Sequence, residues 1–171
     1  MTDLHLTNHG IVEIEPQPTI AVRIRKSMSE LDMKELFDKE LPRVFQFATS
    51  QGHSPTGAPY ARYFQFGPEE ADIEIGVPVS DYPTEMARAD AHFEQPGTSE
   101  LPGGQVARVI HHGPYDTLSQ AYDALHEWIH EHDHDEGTGP WESYVDNPSE
   151  VAEEQKIRTE IFWPVNTIAP S

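Results

Sequence analysis

The chain has 171 residues, no cysteine, and a formal net charge of −19 that comes from 30 acidic and 11 basic residues. The length allows one domain or two small fused halves. The lack of cysteine excludes disulfides, thiol nucleophiles and cysteine-ligated metals. No signal peptide or long apolar segment is apparent, so we expect a soluble cytoplasmic protein without membrane contact.

The acidic composition also bears on partners. A strongly negative field repels nucleic-acid phosphates and attracts cations. It keeps a protein soluble in concentrated salt, where the repulsion between its own charges is screened. We interpret it as a feature of a high-salt cytoplasm, and the alternative is an ordinary acidic protein.

The first half of the chain predicts one helix among strands. Apolar and β-branched runs predict four strands, at residues 11–14, 20–25, 60–66 and 72–79. An apolar stripe over residues 36–48 predicts a helix, with Ser27 or Ser29 as its N-cap. Pro42 is expected to kink this helix or to divide it into two.

The second half repeats this order behind a connector at residues 80–88. Residues 91–100 are typical of an edge strand, and three more strands are predicted, at 106–111, 141–145 and 157–163. Asp116 or Thr117 can cap a second helix. One face of that helix is apolar, with Leu118, Ala121, Tyr122, Leu125, Trp128 and Ile129. Pro164 is expected to end the last strand.

Two short segments occur twice, which indicates an internal duplication. Residues 59–63, Pro-Tyr-Ala-Arg-Tyr, resemble residues 140–144, Pro-Trp-Glu-Ser-Tyr. Residues 74–79 resemble residues 160–165 in the same way. Each copy follows a strand and a helix, so the chain reads as strand–helix–strand–strand, twice.

The duplication predicts an α+β fold with two main helices, in which the halves pair into one core with a cleft near the join. We expect a loose N-terminus at residues 1–9 and a single domain at 10–166. Within that domain the two pseudo-repeats are predicted at 10–80 and 90–166.

Glu142 and Tyr144 are the first candidate site residues. They point to the same face of a strand because side chains alternate along it. A carboxylate beside an aromatic ring suits a cationic, aromatic or otherwise bulky organic ligand. The alternative is a glutamate on the solvated face of a sheet.

Glu160 and Phe162 form a second candidate pair, since they share a face of the last strand. Glu160 can act as a further carboxylate for a ligand. Alternatively it pairs with a basic neighbour such as Arg158 or Lys156 on the surface.

Four aromatic residues are candidate walls for a ligand, namely Tyr60, Tyr63, Tyr115 and Trp141. Ordinary core packing is the alternative for each of them. Tyr115 is the best candidate, because it follows Gly113-Pro114 at a corner between a strand and a helix, and such positions often face ligands.

His126 and His130 are four residues apart on the second helix, a spacing that can bind a metal. They lie on its polar face and the sequence fixes no third ligand, so we expect a solvated face, no metal and no cofactor. The sequence contains no serine-protease order, phosphate-binding loop or dinucleotide glycine pattern.

Several short motifs match a known family in order and spacing. They are Leu101-Pro102-Gly103-Gly104, Ala107, His112-Gly113-Pro114-Tyr115, Leu125, Trp128, Trp141-Glu142-Ser143-Tyr144, Asp146-Asn147-Pro148, Thr159-Glu160-Ile161 and Pro164-Val165. With these motifs the chain resembles the GyrI-like family. Members are small-molecule effector-binding domains, found alone or fused to AraC- and MerR-type multidrug regulators. The resemblance is strongest over residues 101–165.

The resemblance implies a duplicated βαββ unit with a curved antiparallel sheet and a ligand cleft where the halves join. It also implies that Glu142, with Tyr144 beside it, neutralises a cationic ligand. We therefore expect a stand-alone domain that senses or sequesters a small organic molecule. Without a DNA-binding motif in the sequence, a separate transcription regulator would supply any DNA contact.

Some relatives imply other functions. Some resemble hydrolases that open a strained ring in alkylating compounds, in which case Glu142 would act as a general base on a water molecule. Others resemble protein inhibitors of DNA gyrase, in which case the acidic surface would contact a basic partner. Both functions stay as alternatives to simple ligand binding.

Overall fold

The computed structural model describes residues 5–80, 95–113, 117–132, 134–137, 139–146, 153 and 156–167. These residues form nine strands and two helices. In chain order they are β1 His5–Ile14, β2 Gln17–Ser27, α1 Met33–Ser50, β3 Tyr60–Phe66, β4 Glu70–Pro78, β5 Gly97–Leu101, β6 Gly104–His112, α2 Leu118–Glu131, β7 His134–Glu136, β8 Trp141–Tyr144 and β9 Arg158–Thr167.

The chain divides into two compact units. We call Glu15–Gly103 the middle unit, and Met1–Ile14 together with Gly104–Ser171 the terminal unit. Among the described residues, no helix is long and apolar enough to span a membrane. The α+β fold with antiparallel strands and two helices is as predicted.

In the middle unit the strands are ordered β3-β4-β2-β5 and all neighbours are antiparallel. Helix α1 packs against β2 and β4, and it buries Leu36, Val44 and Ala48. Asp32 caps its N-terminus by accepting a hydrogen bond from the Glu35 amide, a role that the sequence assigned wrongly to Ser27 or Ser29. The helix is continuous through Pro42, so the predicted division into two pieces is wrong.

In the terminal unit the strands are ordered β1-β6-β9-β8, and β7 also pairs with β9. Helix α2 places Ala121, Leu125 and Ile129 against Val109 and Ile161 of the sheet, and all five are fully buried. This core follows the predicted apolar stripe. Strand β9 continues through Pro164 to Thr167, so the prediction that Pro164 ends it is wrong.

Apart from the additional short strand β7 in the terminal unit, both units have the inner order of strand, helix, strand and strand that the duplicated segments predict. Ala61 pairs with Ile75 in the middle unit, and Glu142 pairs with Ile161 at the corresponding place in the terminal unit. Two further strands flank this order, since β1 pairs with β6 and β5 pairs with β2. Residues His5–Ile14 form β1. The predicted bounds of the pseudo-repeats, 10–80 and 90–166, stay a prediction.

Candidate ligand-binding site

Glu142 is a buried carboxylate on the short strand β8. It is only 4% exposed, and the Tyr144 hydroxyl donates a hydrogen bond of 2.6 Å to its Oε2. The two side chains lie two residues apart on one strand, so they share a face of the sheet as predicted. The alternative of a solvated glutamate on an open face is wrong.

The face that carries Glu142 and Tyr144 continues across the neighbouring strands. Ile161 lies opposite Glu142, and Thr159 lies opposite Tyr144. Thr159 in turn lies opposite His111 on β6. Since directly paired residues project on the same side, these five side chains belong to the face that α2 covers through Ile161.

This face carries an unusual number of buried polar groups. Thr159 and His111 are both fully buried. The Nε2 of His111 lies 2.6 Å from the Oγ1 of Thr117, the residue before α2. Among the described residues, the Thr159 hydroxyl has no hydrogen-bond partner. A buried polar group without a partner is costly, which is typical of a place where a ligand or water completes the bonding.

Sequence reasoning assigned no role to His111 or Thr159. The signal that links them to Glu142 is the register of β6, β9 and β8, and this register depends on pairing between residues 15 to 48 positions apart. The alternation within β8 was visible in the sequence, but these cross-strand neighbours were not.

Three of the predicted site residues lie on the opposite face of the terminal unit. The rings of Trp141 and Phe162 stack with centroids 5.3 Å apart and planes 18° apart. Glu160, on the same side of β9 as Phe162, accepts a hydrogen bond of 2.9 Å from Nε of Arg108. The predicted pairing of Glu160 with a basic residue is confirmed, but its partner is Arg108 and not Arg158 or Lys156.

The structure therefore does not bring the predicted residues of the terminal unit together on one face. Glu142 and Tyr144 form one set, and Trp141, Glu160 and Phe162 form another. Tyr115 lies outside the described residues.

Tyr60 and Tyr63 belong to the middle unit and also point to opposite faces. Tyr60 is buried and donates a hydrogen bond of 3.0 Å to Thr19, and its burial raises the pKa of the phenol well above its ordinary value. It lies over Gly76, where a Cβ atom would come within 2.9 Å of the Tyr60 hydroxyl. Tyr63 packs edge-on against Phe66. Core packing accounts for Tyr60.

The Tyr60 face of the middle unit also carries charged residues. Arg23 donates two hydrogen bonds of 2.8 Å to Asp72, which hold the pKa of the Asp72 carboxyl below its ordinary value. The next residue on this face of β4 is Glu74, which is 3% exposed. Burial raises the pKa of Glu74, although a hydrogen bond from Ser99 opposes the shift. Arg23 neutralises Asp72, whereas the raised pKa of Glu74 means that its ionised form is costly to bury.

A separate pocket of about 320 Å³ lies beside α1 in the middle unit. Arg25, Lys26, Lys39 and Arg43 line it around the buried Glu40, to which Arg43 donates a hydrogen bond of 2.6 Å. Its basic lining does not match the predicted ligand, and none of the predicted site residues lies there.

The comparisons with known proteins agree with this fold. The model of the family described as the GyrI-like small molecule binding domain matches residues 7–166. None of the curated protein sequences compared with the chain matches it.

Among solved structures, the chain is similar to the C-terminal domain of EcmrR, with 23% identity and a TM-score of 0.75 over 94% of this chain and 98% of that one. In the EcmrR–DNA complex the chain spans only 58% of the EcmrR length, with 94% of its own length covered, 22% identity and a TM-score of 0.76.

Two more distant structures share the fold. SAV2435, solved with bound tetraphenylphosphonium, is 13% identical with a TM-score of 0.61, and 94% of each chain is covered. A hydrolase from Listeria innocua is also 13% identical, with a TM-score of 0.63 over 92% of this chain and 91% of that one. The match of the family model over nearly the whole sequence is decisive: the chain belongs to the GyrI-like small-molecule binding domain family.

Proposed function

We propose that this domain binds an aromatic organic cation through Glu142, on the face of the terminal unit that α2 covers. The observation that carries the proposal is a carboxylate only 4% exposed that accepts a hydrogen bond of 2.6 Å from the Tyr144 hydroxyl. Glu142 supplies the negative charge, and the Tyr144 ring offers its face to the cation.

The energetics of burial favour this role. An ionised carboxylate away from water is costly unless it is hydrogen-bonded or faces an opposite charge. Tyr144 supplies one hydrogen bond, and a bound cation would add the opposite charge in a place where water screens it little. The Thr159 hydroxyl, which has no hydrogen-bond partner within the described part of the chain, lies beside Tyr144 and can bond to a polar group of the ligand.

Two further observations support a cationic ligand. The net charge of −19 draws cations toward the protein from a distance. SAV2435, which shares the fold, was solved with tetraphenylphosphonium, an aromatic cation. The same net charge disfavours direct contact with DNA, so the domain would capture the ligand as a sensor or a sequestering protein.

Calorimetric titration with tetraphenylphosphonium tests the proposal. We expect wild type to bind it and Glu142→Gln to bind it at least about tenfold more weakly, since removing one partner of a buried charge pair costs roughly 2–5 kcal/mol. Glu127→Gln is the matched control, because it removes an equal charge from the exposed side of α2. Equal affinity in wild type and Glu142→Gln would exclude Glu142 as the cation partner.

A further inference from the structure

Two histidine side chains of α2 contact the side chain of a glutamate on β7. The Nε2 atoms of His126 and His130 lie 2.7 and 2.8 Å from Oε1 of Glu136. The histidine side chains are 54% and 46% exposed, so the expected solvated face is present only in part. The third residue, which the sequence did not identify, comes from the short strand that follows the helix.

Strand β7 holds Glu136 in place through its pairing with β9, where Glu136 lies opposite Val165. The next residue, Gly137, donates a backbone hydrogen bond of 2.6 Å to the Pro164 carbonyl. A Cβ atom at Gly137 would lie 3.0 Å from that oxygen, so a larger residue here would press on the Pro164 carbonyl. Trp163 also donates a hydrogen bond from Nε1 to the Gly137 carbonyl.

The contacts to Glu136 are short, but they are not hydrogen bonds. Its Oε1 is buried and has no hydrogen-bond partner among the described residues, although both imidazole nitrogens lie at ion-pair distance. Two ring nitrogens and one carboxylate oxygen thus lie within 4.8 Å of one another, and the carboxylate oxygen accepts no hydrogen bond from either ring. That arrangement is expected where three groups share a cation.

We infer that His126, His130 and Glu136 form a binding site for a divalent transition-metal ion, and that zinc fits this donor set. Two imidazole nitrogens and one carboxylate oxygen are ligands that zinc takes in proteins, with an open position for water. Imidazole ligands favour transition metals over calcium or magnesium. The half-exposed histidine rings leave one side of the site open to solvent for that water.

Zinc binding requires all three side chains to adjust, since the ligand atoms are spread over distances of up to 4.8 Å. Tetrahedral zinc ligands lie about 3.3 Å apart, since each zinc–ligand bond is about 2.0–2.2 Å long. The Glu136 oxygen therefore has to withdraw from each nitrogen by about 0.6 Å, which side-chain rotation supplies. The net charge of −19 also raises the concentration of cations near this surface.

Titration of the full chain with zinc chloride against a competing colorimetric chelator tests the inference. We expect one zinc ion per wild-type chain, and a loss of affinity of at least about tenfold in His126→Ala, His130→Ala and Glu136→Gln. Cobalt(II) in place of zinc should give visible d–d absorption in wild type and not in the double variant His126→Ala/His130→Ala. His132→Ala is the control and should keep the site, because His132 packs on Trp128 at the end of the helix.

Two results would overturn the inference. One is zinc binding in the double variant that equals binding in wild type, which would mark adventitious binding by other acidic or histidine side chains. The other is no zinc binding by wild type at all. Far-UV circular dichroism shows whether each variant is folded, and Glu136→Gln keeps the shape of the side chain in case an alanine variant is not.

Discussion

The hydroxyl of Tyr144 donates a hydrogen bond of 2.6 Å to Oε2 of Glu142, two residues earlier on the same strand. Side chains alternate along β8, so Glu142 and Tyr144 lie on one face of the strand and the phenol hydroxyl is within hydrogen-bond distance of the carboxylate. If Glu142 recognises a cation, then Tyr144 acts on the ligand partly through Glu142.

Tyr144→Phe should therefore weaken binding of tetraphenylphosphonium by about tenfold, because a hydrogen bond to a charged group contributes roughly 1.5–3 kcal/mol. The ring is kept, so its packing is unchanged. The double variant with Glu142→Gln should bind no more weakly than Glu142→Gln alone. Additive losses in calorimetry would mean that the hydroxyl contacts the ligand independently of Glu142.

The split of the predicted site residues between two faces gives a second prediction. Phe162 stacks on Trp141 on the face opposite Glu142, so Phe162→Leu should leave affinity for tetraphenylphosphonium within about twofold of wild type. A loss of tenfold or more in the same titration would place the ligand on the Trp141 face instead. The thermal midpoint of the variant shows whether it is folded well enough for the comparison.

Asp72 gives a prediction for stability and pH. Hydrogen bonds from Arg23 lower the pKa of Asp72 in the folded state, so the pair adds stability that is present at neutral pH and disappears as pH falls through that lowered pKa. Asp72→Asn should cost about 1 kcal/mol at pH 7, a modest value because solvent screens the partly exposed Arg23.

Urea unfolding at pH 7 and at pH 3 measures this difference. The cost of Asp72→Asn should shrink at pH 3, which lies below the ordinary pKa of 3.8 for this carboxyl. The exposed Glu30→Gln is a control in which we expect little change at either pH. A cost for Asp72→Asn that is equal at both pH values would contradict the assigned role of Arg23.

Glu74 lies two residues further along β4 and should behave in the opposite sense. Burial raises its pKa, so the folded state binds the proton more tightly and stability falls as pH rises above the ordinary value of 4.5. Glu74→Gln should therefore stabilise the protein at pH 7 by about 1 kcal/mol, since a neutral group is less costly to bury. Urea unfolding should show no gain at pH 4, and destabilisation at pH 7 would contradict this account.

The net charge of −19 predicts a strong response to salt. Repulsion among the acidic side chains opposes folding at low ionic strength, and salt screens it, since the Debye length falls from about 10 Å at 0.1 M to about 3 Å at 1 M. The thermal midpoint should rise markedly in molar potassium chloride. A flat response across the salt series would remove the argument for a high-salt cytoplasm.

The sequence predicted those parts of the fold that depend on local pattern. The stripe from Leu118 to Ile129 gave α2, and the repeated segments around Tyr60 and Trp141 gave β3 and β8. The predicted division of α1 at Pro42 is wrong. Proline has no backbone N–H to donate within the helix, but the buried stripe of Leu36, Val44 and Ala48 stabilises the helix on both sides of it.

The sequence did not predict which strands distant in the chain pair with each other. The pairing of β1 with β6 and of β5 with β2 depends on contacts between residues far apart in the chain. For the same reason the sequence placed Glu142 and Tyr144 on one face of a strand but did not bring Thr159, His111 or Glu136 to their neighbours. Each of these three acquires its neighbours only when β9 has paired with another strand.

A crystal structure of the domain with tetraphenylphosphonium tests the central claim most directly. The account predicts that the phosphonium lies on the face of β8 that carries Glu142 and Tyr144, with the carboxylate as its nearest negative charge. A ligand bound on the opposite face, against Trp141 and Phe162, or in the basic pocket beside α1, would contradict it.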